Sequence, residues 1–280
     1  MGTLFLVGTP IGNLEDMSFR AVRTLKEVEL IAAEDTRHSG RLLQHFNIET
    51  RMVSYHGDSP ESRIDDILDT LGKGNVALIS DAGMPGISDP GAELVRAAAE
   101  AGFEVQSVPG PSAVTTAVAV SGLVNAGFLF AGYPPRKSKD RVPFFTRVLG
   151  SGYPVVLYES PHRLVDSLKD LAGAYPDLEI AVCRELTKLH DSVVRGTVQE
   201  VVGELGDPPP PGEYVLVLSA STGEAGESTA EDAESIARTL LSQGLSTSKV
   251  AREVARTCRI NKSAAYELVL NLKSDSPQES

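Results

Sequence analysis

Val76-Ala77-Leu78-Ile79-Ser80-Asp81-Ala82-Gly83-Met84-Pro85-Gly86-Ile87-Ser88-Asp89-Pro90-Gly91 carries the pattern that decides the fold. A compact apolar run reads as a strand, and it empties into a loop rich in Gly, Pro and Asp. The helical stretch Ala92–Ala101 follows, then the strand Glu104–Val108, the turn Pro109–Ser112 and the helical Ala113–Val120. The same order precedes it. Thr3–Val7 reads as a buried strand ending at Gly8-Thr9-Pro10-Ile11-Gly12-Asn13. Phe19, Val22, Leu25 and Val28 then recur at helical spacing. Leu30–Ala33 is a further strand, ending at Glu34-Asp35-Thr36-Arg37, and Arg41–Phe46 and Ile64–Leu71 read as helices. Repeated strand–helix order predicts an α/β unit with a largely parallel sheet.

A second part opens near Phe128. Tyr133–Arg141 reads as a basic, Pro-containing loop. Val155–Tyr158 is a strand before Glu159-Ser160-Pro161-His162-Arg163 and a helix through Leu171; Ile180–Cys183 is a strand before Arg184–Lys188. Val198–Leu205 reads as a helix and Tyr214–Ser219 as a closing strand. Ser219–Glu231 has the composition of a flexible acidic linker. Three amphipathic helices are expected after it, Glu234–Gln243, Ser248–Arg256 and Lys262–Leu272. These readings divide the chain into 1–122, 123–220, a linker 221–233 and a helical module 234–280.

The 280 residues include 41% apolar and 23% charged side chains, values of an ordinary globular protein. Cys183 and Cys258 lie too far apart to suggest a zinc site or disulfide framework, and the five histidines have no ligand spacing, so no metal is expected. The first apolar run is too short for a signal peptide or a span, so a cytoplasmic protein without membrane attachment is expected. A net charge of −12 argues against indiscriminate nucleic-acid binding. The tail differs: Asp232–Lys273 holds seven Lys/Arg and four Asp/Glu.

Three strands of the first half end in Gly/Pro loops: Gly8–Asn13, Ser80–Gly91 and Pro109–Ser112. Strand carboxyl ends form the ligand crevice of parallel sheets, and Gly allows close approach to the backbone. The loops thus point to a small-molecule site. No Gly-Lys-Ser/Thr and no G-x-G-x-x-G occurs, which counts against phosphate cradling and a dinucleotide.

In this order, Leu6–Leu14, Ala32–Arg37, Ser80–Gly91, Val108–Ala113, Glu159–Arg163 and Arg184–Lys188 closely resemble the ribosomal RNA small subunit methyltransferase I family. That family lies within the tetrapyrrole methylases, class III S-adenosylmethionine (SAM) methyltransferases. The resemblance implies two α/β domains with the cofactor cleft between them, plus a small C-terminal helical domain. It further implies a homodimer, SAM as methyl donor, and transfer to the ribose 2′-OH of a cytidine in the decoding region of 16S rRNA. The acidic total suggests the 30S subunit as substrate, since basic ribosomal proteins would meet acidic surface. By position, Pro10, Asp81, Gly83, Ile87, Ser112 and Ala113 would hold the donor from the first domain, and Tyr158, Glu159 and Leu186 from the second. Met84 replaces the Thr that most members carry.

A ribose hydroxyl needs a proton acceptor to become a good nucleophile. Glu34, Asp35, Glu159 and Glu185 are candidates, with Lys188 or Arg184 to hold a phosphate or stabilise the developing alkoxide. The plain alternatives are a helix cap for Glu34–Arg37 and a structural ion pair for Arg184–Glu185. Arg136, Lys137, Lys139, Arg141, Arg37, Arg41 and Arg163 are candidate RNA contacts; the alternative for the 136–141 run is a solvated loop. The tail reads as an RNA- or ribosome-docking helix–turn–helix rather than a DNA reader, or as simple three-helix packing. A class III methyltransferase of tetrapyrroles or protein side chains, and a non-catalytic RNA-binding assembly factor, remain alternative functions.

Overall fold

The structure, a computed structural model, describes residues 2–57, 59–220, 230–242, 245–257 and 262–274. Two compact units form, residues 1–220 and the helices beyond 229. Residues 221–229 of the expected linker 221–233 lie outside the described residues, as does Cys258, while 230–233 are corrected to the start of a helix.

The first sheet contains β1 (Thr3–Val7), β2 (Leu30–Ala33), β3 (Met52–Ser54), β4 (Val76–Ile79) and β5 (Glu104–Val108). Its order is β3-β2-β4-β1-β5 and every pairing is parallel. Helices α1 (Phe19–Glu27), α2 (Thr36–His45), α3 (Glu61–Leu71) and α4 (Ala92–Glu100) cover its two faces. Strand side chains alternate between them. Ile31, Ala33, Ala77 and Ile79 join Ala21, Leu25 and Leu43 on one side. Leu30, Ala32, Val76 and Leu78 join Ile67, Leu71, Leu94 and Ala98 on the other. Burial on both faces explains why β2 and β4 read as unbroken apolar runs.

Helix α5 (Ala113–Ser121) lies at the seam. Its Val114 and Ala117 pack not on the first sheet but on Val156, Ala181, Cys183, Val215 and Val217 of the second. That sheet has β6 (Leu129–Phe130), β7 (Val155–Glu159), β8 (Glu179–Arg184), β9 (Ser192–Thr197) and β10 (Tyr214–Leu218), in the order β6-β7-β10-β8-β9. Only β6 and β7 run parallel; β10 is antiparallel to both its neighbours. Helices α6 (Ser138–Leu149), α7 (Pro161–Ala174) and α8 (Val198–Glu204) close the far face around Phe145, Leu164, Leu168 and Val198. The two α/β layers and the added helices match the expected fold class. β3, β6 and β9 were not expected; all three are edge strands, β3 and β9 without the apolar run that marks the others and β6 only two residues long.

The expected loop through 141 is corrected, because α6 begins at Ser138. Arg141 falls on the helix stripe with Phe145, Val148 and Leu149 and is only 4% exposed. Its Nε donates to Asp170 of α7 at 2.7 Å.

In the second unit, α9 (Ala230–Ser242), α10 (Thr247–Thr257) and α11 (Lys262–Ser274) bury Ala233, Ala237, Val250, Val254, Ala265 and Val269. Among the described residues no helix is long and apolar enough to cross a membrane.

Candidate functional site

The sheets meet at a cavity of about 410 Å³. That is within the ~300–1,000 Å³ typical of small-ligand sites. The first layer contributes Ile11 after β1, Glu34 after β2, Asp81–Met84, Ile87 and Asp89 after β4, and Ser112–Ala113 at the start of α5. These all follow carboxyl ends of parallel strands. The second layer contributes Tyr133, Tyr158–Pro161, Leu186 and Gly212–Val215.

Eight of the nine expected donor-contact residues line this space: Asp81, Gly83, Ile87, Ser112, Ala113, Tyr158, Glu159 and Leu186. Pro10 is buried and does not. Met84 lines it as well. Gly212–Val215 were missed because the rule of carboxyl ends holds for parallel strands. Antiparallel β10 brings its amino end to the cleft instead.

The loops are stitched together by their backbones. Thr9 and Gly83 exchange both amide bonds, at 2.9 and 3.1 Å. Gly8 and Gly110 touch so closely that a Cβ on Gly8 would meet the Gly110 Cα at 2.7 Å. The Asp35 amide donates to Asp81 Oδ1 at 3.1 Å, and the Asp81 amide to Glu34 Oε2 at 3.4 Å. The three loops read from the sequence as one pocket are therefore tied into one wall.

Glu34, Asp81 and Asp89 gather negative charge there. Burial raises the Glu34 pKa; the hydrogen bond from the Asp81 amide opposes the shift, and the negative charges of Asp81 and Asp35 add to it. Burial, then Glu34 and Asp81, push Asp89 up to about 6, although the Ser80 hydroxyl opposes the shift. At Asp89 the folded protein therefore holds a proton that the unfolded chain has lost between pH 3.8 and about 6, so the stability this group contributes falls as pH rises through that window. Asp89→Asn removes this titration. Its melting temperature is expected to gain on the parent as pH rises through the same window; a constant difference would show that Asp89 is not the group responsible.

The proton-acceptor candidates separate clearly. Glu34 faces the cavity. Asp35 caps α2, accepting from the Arg37 amide at 2.8 Å, and the Arg37 guanidinium holds its pKa at about 2. Glu159 lines the wall but is 2% exposed, and its carboxylate is taken up by the Ser160 amide, the Ser167 hydroxyl and Arg163. Glu185 and Lys188 lie outside the lining. Lys188 bridges Glu185 and Glu213, each at 2.9 Å. Burial raises the Glu185 pKa, but Lys188 and the Glu213 amide bring it net lower. Burial depresses Lys188, yet Glu213 and Glu185 raise it overall. Arg184 spends its guanidinium on the Pro211 carbonyl. Asp89, missed as an acceptor, sat within the loop singled out from sequence; what set it apart was burial beside other carboxylates.

Of the candidate RNA contacts, Arg37, Arg41, Arg136, Lys137 and Lys139 are exposed. Arg141 is buried, as described, and Arg163 is turned inward onto Glu159. Among the described residues no group of three His, Cys, Asp or Glu side chains is disposed to hold a metal ion.

Comparison with known proteins defines the class: the tetrapyrrole (corrin/porphyrin) methylase family matches residues 3–202. Solved structures agree in fold. Diphthine synthase superposes with a TM-score of 0.61 at 15% identity, covering 78% of this chain and 90% of that one. Uroporphyrin-III-C-methyltransferase from Thermus thermophilus gives 0.53 at 21% identity, covering 81% and 98%.

Within that class the chain belongs to the ribosomal RNA small subunit methyltransferase I family. The Synechocystis sp. member is 43% identical over 278 residues, covering 98% of this chain and 100% of that protein. The Bacillus subtilis member is 45% identical over 225 residues, covering 80% and 77%.

Proposed function

We propose that the protein is a SAM-dependent rRNA methyltransferase that acts on the ribose 2′-OH of a cytidine in the decoding region of 16S rRNA. The cavity between the sheets, walled by eight of the nine expected donor contacts, carries this reading. The alignment with the Synechocystis protein, essentially end to end, supports the substrate class.

The lining suits such a donor. Ile11, Ile87, Leu186 and Val215 offer apolar surface for an adenine ring, and carboxylates surround the space where cationic groups would lie. The amide groups opening α5 suit the donor's carboxylate. When bound, SAM supplies a methyl group already activated on a sulfonium, so the protein's work is alignment and proton removal. Asp89 and Glu34 are the carboxylates of the lining best able to accept a proton, because burial keeps their pKa values high.

Exposed Arg136, Lys137 and Lys139 form the nearby cationic surface, and none has an ion-pair partner among the described residues. Replacing all three with Gln is expected to leave donor affinity unchanged and to weaken RNA binding. The log–log salt slope should shrink by up to ~2, since each single-strand phosphate contact is worth about 0.7. An unchanged slope would assign these residues to the solvated face.

The assembled 30S subunit is the proposed substrate, the active form a cytoplasmic homodimer, and the α9–α11 unit a docking module for RNA or ribosome. Titration calorimetry with SAM separates this reading from a non-catalytic assembly factor. Mass spectrometry of 16S rRNA from a deletion strain, with and without the restored gene, tests the reaction. Unaltered methylation on deletion would overturn it.

A further inference from the structure

We infer that Tyr133 is a fixed stacking platform for the unpaired target nucleobase at the mouth of the cavity. This rests on the proposed RNA substrate and assigns a residue to its recognition.

Tyr133 lines the cavity yet remains 56% exposed, which no other aromatic of the lining does. Tyr158 backs it, ring centroids 5.5 Å apart at 56°, and Phe130 in turn packs edge-on against Tyr158 at 5.0 Å. The backbone that carries the ring is anchored on both sides. The Gly132 carbonyl accepts from the Tyr158 amide at 3.0 Å. The Pro134 and Pro135 carbonyls both accept from the Arg163 guanidinium. Arg163 is locked in turn to the buried Glu159 carboxylate. One residue further, the Arg136 carbonyl accepts from Arg141 at 3.1 Å, itself held by Asp170. Two prolines fix φ between these anchors.

Two inward-facing arginines therefore brace one short segment by its carbonyls. That segment presents an aromatic face at the cavity mouth and leads into the exposed cations Arg136, Lys137 and Lys139. This is the composition of a single-strand binder: a ring for the base and charges for the phosphates. Delivering a 2′-oxygen into a cavity walled by both sheets favours a nucleotide that has left its stack, and a waiting ring replaces the stacking it loses. Arg163 and Arg141 are positioning residues for this platform.

The chain contains no tryptophan, so Tyr133→Trp creates a single fluorescent reporter at the site. Its emission is expected to be quenched by a single-stranded RNA oligonucleotide carrying the target sequence without SAM present. In methyl-transfer assays on 30S subunits, Tyr133→Ala is expected to lower kcat/KM about 5- to 150-fold, the range that ~1–3 kcal/mol of base stacking represents. Tyr133→Phe should retain activity, and SAM affinity by calorimetry should be unchanged in all three variants. Parent-like turnover in Tyr133→Ala, or a Tyr133→Trp emission unmoved by an oligonucleotide that the protein binds, overturns the inference. A parallel loss of SAM affinity also overturns it, by assigning the ring to the donor. Absence of rRNA methylation by the parent enzyme would instead sink the proposed function.

Discussion

Gly83→Val is expected to lose methyl-donor binding on the order of 100-fold or more, equivalent to ~2.7 kcal/mol, while the protein still folds. Gly83 sits at φ +83°, where a β-branched residue is a genuine outlier. Its amide and carbonyl are both committed to Thr9, so the loop cannot relax without breaking that bridge. A Cβ would enter ordinary contact, 3.4 Å from Ile11 Cγ2 and 3.6 Å from the Pro111 carbonyl. Space for one carbon therefore exists; the two methyl groups beyond it must go into the cavity or press Ile11 into it. The backbone strain costs about 1–3 kcal/mol, within reach of a folded protein's reserve. Calorimetry with SAM, beside a thermal melt, separates the effects. Gly83→Ala should fall between parent and Gly83→Val. Donor affinity within threefold of the parent in Gly83→Val would show that the donor binds elsewhere.

Arg141→Met is expected to destabilise the protein by about 3 kcal/mol, near the low end for breaking a buried ion pair. The side chain of Arg141 is 5% exposed and that of Asp170 20%. Losing the guanidinium strands a largely buried carboxylate, though the Ser138 hydroxyl still donates to it at 2.9 Å. For a domain of this size the melting temperature should drop by roughly 6–12 °C. Lys139→Met, on the exposed side of the same helix, should stay within about 0.5 kcal/mol of the parent. The double variant Arg141→Met/Asp170→Leu should recover most of the loss, because apolar packing replaces a buried pair at little net cost. A harmless Arg141→Met would mean that the pair contributes nothing to holding α6 on α7.

The sequence read the four basic residues of 136–141 as one surface run, and this is where it fell short. Charge alone does not tell which face of a helix a residue occupies. Arg141 lies one turn inside α6, in register with Phe145 and Leu149. A partner at Asp170, distant in the chain, makes its burial tolerable. Arg163 is the same case, drawn inward by Glu159 and by two proline carbonyls.

By itself the sequence determined the strand–helix order, the strands buried on both faces and the loops that wall the cavity. Those signals are local: apolar runs set by two-sided burial, and Gly and Pro demanded by backbone geometry. Tertiary structure alone decided which layer α5 covers, which end of β10 reaches the site, how acidic Asp89 is and which cations meet solvent. Each depends on groups far apart in the chain, and the strength of a charge is set by what surrounds it in space.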